Sequence, residues 1–322
     1  MSKAKKVWLI IAAAFILLGA VIFATVMSLN SWNFMCLSTK NFRTTEHVIS
    51  EDFKNIDITS RTAKITFLPS EDGKARVVCY EEEKIRNDVS VNDGALKITR
   101  VDTRRWYDHI GIFNFGTAKI TVYLPKDQLG ELNIKSSTGD ISVPSGFNFS
   151  CIAISVDTAD VECDASASGM VKIHTSTGDI SVQNISCGEM ELLVDTGRIK
   201  ASNVDCTGNF TIVVETGNAN VSDVTCRSFI SKGDTGDLYM ENVLAAEKFN
   251  IERNTGDVNF KLCDASEVDI VTDTGEVVGS FVTDKMIFAS SDTGKVRIPK
   301  LTSGGRCEIT TDTGDIIITI EK

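Results

Sequence analysis

Histidine is scarce in this chain, at three residues in 322, and no two of the nine cysteines stand in a CxxC pair. His47, His109 and His174 are each isolated in sequence. A structural zinc site draws its ligands from closely spaced Cys and His pairs, so no metal site and no cofactor are expected. Basic residues thin out along the chain. Residues 1–130 carry 18 Lys and Arg against 14 Asp and Glu, whereas residues 131–322 carry 15 against 30, and the net charge passes from +4 to −15. That acidic surface argues against nucleic acid as a partner, because phosphate neutralisation needs clustered bases. The second half also lacks any 3.6-residue apolar stripe, which excludes helical repeats.

Charge is missing altogether from Val7 to Leu29. As a helix this run spans about 34 Å, enough to cross a hydrocarbon core of about 30 Å. Lys3, Lys5 and Lys6 precede it, so the positive-inside rule leaves residues 1–6 as a cytoplasmic tail and everything after Asn30 outside. Trp8 and Trp32 flank the run as interfacial aromatics do. A cleavable signal is the alternative, but its apolar core is usually about 7–15 residues. Cys36 follows Phe34 and Met35, not the small residues a lipoprotein cysteine requires. The expectation is a single-pass anchor over 7–29 that contacts the lipid bilayer, followed by a linker over 30–41.

What is abundant is one triplet. Thr-Gly-Asp, or a close variant, recurs with its threonine at 138, 158, 177, 196, 216, 235, 255, 274, 293 and 313. The spacing is always nineteen or twenty residues, roughly half the 40 of a propeller blade. Apolar residues fall six, four and often two positions before the threonine and three and five after it, with another cluster eight and ten after. Around Thr196 these are Met190, Leu192, Val194, Ile199, Val204 and Cys206; around Thr216 they are Phe210, Ile212, Val214, Ala219, Val221, Val224 and Cys226. Alternation by two is strand periodicity, and a short fixed period means units that bury apolar side chains only against their neighbours.

The predicted fold is therefore all-β: a β-solenoid of about ten coils over 131–322, preceded by a β-rich cap domain over 42–130. Thr138-Gly139, Thr177-Gly178, Thr196-Gly197, Thr216-Gly217, Thr235-Gly236, Thr255-Gly256, Thr274-Gly275, Thr293-Gly294 and Thr313-Gly314 are read as structural corners. The glycines would adopt positive φ, and each threonine would turn its methyl inward while its hydroxyl bonds a backbone group or the next coil. Ala159 replaces glycine once, which implies either a strained left-handed alanine or a corner of different shape. Cys187, Cys206 and Cys226 occupy one place in three successive units, where they would stack as buried free thiols.

Within 42–130, Thr62-Ala63-Lys64-Ile65-Thr66 and Thr117-Ala118-Lys119-Ile120-Thr121 look like degenerate coils, each running into Leu-Pro. The segment 104–115 gathers Trp106, Tyr107, Phe113 and Phe115 beside two arginines, as a loop that grips a partner or packs over the first coil.

Three kinds of chemistry are weighed. Asp-Thr-Gly at Asp195, Asp234, Asp273, Asp292 and Asp312 resembles the aspartic-protease signature. Those enzymes share one proton between two carboxylates in a cleft, whereas this triplet is periodic and drifts to Ser137, Ser176, Glu215 and Asn254. Glycan-active β-helices need acids gathered in a walled groove, and the turns here are short. Lines of acids on either side of Thr-Gly, including Asp237, Asp257, Glu276 and Asp315, could hold calcium, but Arg198 and Lys295 interrupt them and a solvated acidic edge is expected instead. No catalytic residue is assigned.

Leu124-Pro125, the run Asn133-Ile134-Lys135-Ser136-Ser137-Thr138-Gly139-Asp140-Ile141 and the later triplets together resemble the bacterial putative-adhesin family of β-strand repeats, domain of unknown function 4097. The likeness covers about residues 45–320, and Trp106-Tyr107 looks like that family's clostridial members. It implies a surface β-repeat protein of Gram-positive-type bacteria, with some relatives linked to envelope-stress systems and no catalytic residues to carry over. The functional expectation is a non-catalytic, outward-facing membrane protein that binds or scaffolds at the cell envelope. Its partner would be a cell-wall polymer or an envelope protein; the alternative is an accessory of envelope-stress sensing.

Overall fold

The computed structural model describes residues 3–33, 41–106, 116–126 and 129–321. Helix α1 (Lys3–Leu29) is the one described helix long and apolar enough to cross a membrane. The rest is β: a β-solenoid of about nine turns whose twenty-four strands are joined in one hydrogen-bonded system.

Each turn is built as the apolar spacing demands. β14 (Ile180–Thr196), β17 (Ala219–Thr235), β18 (Leu238–Thr255) and β19 (Val258–Thr274) run almost without interruption from one corner to the next. Between them, β15 (Ile199–Cys206) and β16 (Asn209–Thr216) form one turn from two strands. Parallel neighbours lie in register, with Thr177 beside Thr196, Thr196 beside Thr216, and Thr216 beside Thr235. The inward columns predicted around Thr196 and Thr216 are all buried. Six positions before the threonine, Phe210, Phe229 and Phe249 stack edge to face at 5.7 and 5.8 Å, a geometry that adds to their area burial.

A second bend, not foreseen, lies seven residues after the threonine. Asn184, Asn203, Asp223, Asn242 and Leu262 all have φ between 52 and 57°. Asn and Asp tolerate the left-handed region because their short side chains find local polar partners. Here the partner is the next turn: Asn203 Nδ2 donates to Asn184 Oδ1 at 2.6 Å, and Asn242 Nδ2 to Asp223 Oδ1 at 2.9 Å. Leu262 has no such compensation. Leu262→Asn is therefore expected to raise stability by about 1 kcal/mol, read as a higher urea midpoint; an unchanged or lower midpoint would contradict the reading.

The threonines of the corner triplet are solvent-exposed at all ten positions, contrary to the inward methyl expected. Inward threonines stand two residues earlier, at Thr175, Thr272 and Thr311, and are 0–1 % exposed. Thr175 Oγ1 donates to the carbonyl of Ala159 at 3.0 Å. Ala159 itself is not among the positive-φ residues, so its corner is differently shaped and carries no left-handed strain.

The cap region contributes turns of its own. β2 (Asn55–Thr59) and β3 (Lys64–Pro69) pair in parallel with β8 (Glu131–Thr138) and β9 (Ile141–Val143). On their other side lie β6 (Ala95–Asp102) and β7 (Lys119–Leu124). Lys64-Ile65-Thr66 and Lys119-Ile120-Thr121 thus align residue by residue, and the core runs unbroken across position 130. The chain's first turn sits between its second and third. The far end mirrors this. β23 (Gly305–Thr313) inserts between β19 and β21 (Lys285–Thr293), and β24 (Ile316–Ile320) between β20 (Val277–Phe281) and β22 (Val296–Arg297). The last strands are thereby held from both sides. Lys285, 2 % exposed, ion-pairs with Asp264 and donates to Thr283 Oγ1 at 2.7 Å, tying the outermost turn to the one beyond its neighbour. The facing Gly305 leaves room for it.

At the N-terminal end β5 (Ile85–Asn92) covers β6, β4 (Arg76–Glu82) covers β7, and β1 (Phe42–Val48) covers β4, all antiparallel. Antiparallel covering hides terminal edges.

Candidate functional site

The corner triplets form a continuous line, and their chemistry is structural. The residue after the glycine lends its side-chain oxygen to the backbone N–H of its counterpart one turn on. Asp160 Oδ1 accepts from Asp179 N at 2.8 Å, Asp179 Oδ1 from Arg198 N at 2.9 Å, and Asn218 Oδ1 from Asp237 N at 3.0 Å. Asp237 serves Asp257 N at 3.0 Å, Asp257 serves Glu276 N at 2.8 Å, and Asp315 serves Lys295 N at 2.8 Å. This is why Asp and Asn alternate freely there: the donor needs one oxygen and no charge. Asp257→Asn is accordingly expected to change stability by less than about 0.5 kcal/mol, and Asp257→Ala to cost about 1–2 kcal/mol, both read from urea unfolding. Equal losses from Asn and Ala would assign the carboxylate charge a role of its own, as a cation ligand would have.

The residues before the threonine do not converge. Asp195 Oδ1 lies 3.3 Å from His174 Nε2, and Asp234 Oδ1 accepts from Asn254 Nδ2 at 3.0 Å. They follow an exposed edge, and among the described residues no three of His, Cys, Asp and Glu are grouped to hold a metal ion.

Eight cysteines are described, all as free thiols and seven of them buried. Burial pushes Cys163, Cys226 and Cys307 up to about 12. Cys187 sits in register beside Cys206, and a hydrogen bond between the two sulfurs raises Cys187 and lowers Cys206. The thiols pushed up by burial pack as small apolar groups and are poor nucleophiles.

Of the aromatic segment, Trp106 is 78 % exposed; Tyr107, Phe113 and Phe115 lie outside the described residues. The segment departs from a firm base. Arg104 and Arg100 both reach Asp102 Oδ2 at 2.7 Å, and the hydrogen bond from Arg104 holds the Asp102 carboxyl well below the usual carboxylate range. Beside it opens a cleft of about 450 Å³ lined by Phe42, Arg61, Glu81, Arg100 and Arg104 among others. Glu81 is 2 % exposed and accepts from Asn87 N at 2.7 Å, Asn87 Nδ2 at 3.0 Å and Thr45 Oγ1 at 3.1 Å, so its charge is consumed within the cap.

Sequence reasoning missed one buried group. Arg253, 3 % exposed, lies inside the stack two residues before Thr255, with Nη2 donating to Ser231 Oγ at 2.8 Å. Gly233 stands in register with it, and a Cβ there would lie 1.8 Å from Arg253 Nη1. A serine and a glycine interrupting two apolar columns, one turn from an arginine in the same column, were the available signal.

A protein described as a putative adhesin from Parabacteroides distasonis has a similar fold, with 13 % identity, 76 % of this chain and 98 % of that chain covered, and a TM-score of 0.50. Two further matches are a protein described as a putative lipid binding protein from the same species and one described as a putative adhesin from Bacteroides fragilis. Each is 17 % identical and covers 76 % of this chain and 97 % of its own, with TM-scores of 0.49 and 0.44. No match was found among curated proteins. The family model for Toastrack DUF4097 matches residues 53–213 and 207–322, so the chain belongs to the Toastrack DUF4097 family.

Proposed function

We propose that this is a membrane-anchored, outward-facing β-repeat protein that acts by binding or scaffolding in the cell envelope, without catalysis of its own. The observation that carries the reading is the union of one apolar helix, whose most apolar stretch is 0 % buried, with a rod whose polar groups serve its own stacking. The helix would hold the bilayer, with the tail of Lys3, Lys5 and Lys6 inside. The rod would offer long, regular faces suited to many weak contacts with a wall polymer or an envelope protein. The absence of convergent acids and bases in its corner line supports a non-enzymatic role, and the adhesin descriptions of its fold relatives are consistent with it.

The test is surface proteolysis of intact cells producing the full chain with an epitope at its C-terminus. Loss of the epitope with retention of cytoplasmic markers is expected, and a protected epitope would overturn the topology. In a deletion strain, reduced attachment to surfaces with a normal stress response supports binding. Crosslinking that retrieves a membrane regulator, with attachment unchanged, would move the function to envelope-stress sensing.

A further inference from the structure

The two ends of the stack are finished differently. At the N-terminal end the outermost strands β1 and β5 carry charged residues such as Arg43, Glu46, Arg86 and Asp88. At the C-terminal end, among the described residues, β21 pairs only with β23 and β22 only with β24. Thr293 and Lys295 give their carbonyls to Gly314 N and Ile316 N of the inner turn. Alternate groups of a parallel strand point to opposite sides, so the N–H groups of Phe288, Ser290 and Asp292 point off the end.

The cross-section of the core is open at the same place. Val296 is 39 % exposed, and Ile287 and Ala289 are only partly covered. Their counterparts one turn inward, Cys307, Ile309 and Ile316, are 0 % exposed. A row of unpaired backbone groups beside uncovered apolar side chains is a template for another strand.

Charge selects the occupant. On this last turn and its exit Lys295, Arg297 and Lys300, exposed and without a carboxylate among the described ion pairs, outnumber Asp284 and Asp292, at the tip of a region whose net charge is −15. A second copy docked end to end would bring two basic rims together. We propose that the open end formed by β21 and β22 binds an extended acidic segment of a partner protein, which adds as a further strand with apolar side chains over Ile287 and Ala289 and carboxylates toward Lys295 and Arg297. This deepens the binding role proposed above by naming a partner chemistry, yet its test is independent of cellular location.

The full chain in nanodiscs of zwitterionic lipid is titrated with fluorescein-labelled ten-residue peptides of alternating valine and glutamate, or valine and lysine, and anisotropy is read. The acidic peptide should bind at least tenfold tighter. Lys295→Glu with Arg297→Glu, at exposed positions, should reverse that preference. Ser290→Pro, which removes one outward N–H, should weaken acidic-peptide binding at least tenfold with the circular dichroism unchanged. Equal binding of both peptides, or indifference to both variants, overturns the proposal. Polyphosphate that displaces the peptide and binds the Ser290→Pro variant undiminished would assign the basic rim to an anionic polymer instead. Sedimentation showing a parent dimer made monomeric by Ser290→Pro would assign the edge to a second copy.

Discussion

Gly236→Val should be among the most damaging single substitutions in the stack, costing about 4 kcal/mol or more. Two penalties coincide at this corner. The backbone has φ of 128°, a region essentially closed to β-branched residues. A Cβ would also lie 2.0 Å from the carbonyl oxygen of Gly217 in the preceding turn and 2.5 Å from its carbonyl carbon. That oxygen belongs to a backbone held on both sides, with Gly217 N donating to Thr235 O at 2.8 Å and Gly236 N to Thr255 O at 2.8 Å, so it cannot withdraw without breaking the ladder. Losses above about 4 kcal/mol are exceptional and come from such backbone conflicts. Stacked repeats interact mainly with nearest neighbours, so the effect should appear as a lower urea midpoint and as faster hydrogen exchange in the turns flanking residue 236. The matched control is Ala159→Gly, expected within about 1 kcal/mol of the parent. A Gly236→Val protein with the parent's midpoint would refute the corner geometry.

The second large effect has the opposite sign. Replacing Arg253 by Met together with Ser231→Ala should stabilise the protein by about 2 kcal/mol. Arg253 is a guanidinium inside an apolar stack, and desolvation pulls it down to about 10, which expresses how unfavourable its charged form is there. Buried charges exchanged for apolar groups of similar volume often gain about 1–4 kcal/mol, and removing Ser231 Oγ avoids stranding its hydroxyl. The sign with pH follows from linkage. The folded state binds the proton less tightly than the unfolded chain, whose arginine titrates above about 12, so the parent carries its full penalty below pH 10. It sheds that penalty as pH rises from about 10 toward the unfolded value. The advantage of the double variant should therefore be constant from pH 6 to 9 and shrink above 10, measured by urea unfolding of both proteins side by side. Destabilisation by the double variant would show that the guanidinium makes a net favourable contribution.

Much of this architecture was readable from the residues because a strand's two-residue alternation and a nineteen-to-twenty-residue period constrain side chains one at a time. Met190, Leu192 and Val194 had to face one way for any turn to have an interior. The glycine after nine of the ten threonines signalled a backbone that tolerates no Cβ; seven of the nine have positive φ, whereas Gly275 and Gly294 do not, and there the close approach of the neighbouring carbonyl is the cause. The inward threonines were misplaced by two residues because a threonine next to glycine and one two positions earlier suit a strand end equally well in sequence. The bend at Asn184, Asn203 and Asn242 was visible as a column of asparagines, but its meaning depends on side chains one turn apart bonding each other.

By itself, the sequence determined that the chain has an uncharged helical run, an acidic repeating half and equivalent parallel turns with a polar line at their corners. These follow from local rules of hydropathy and backbone freedom. Only the tertiary structure decided the order of stacking, with β2 between β6 and β8 and β23 between β19 and β21. Turns of equal period present nearly identical edges, so chain order does not dictate which turn lies beside which. That choice falls to contacts distant in sequence, such as Lys285 with Asp264, and it is what leaves one end of the rod covered and the other open.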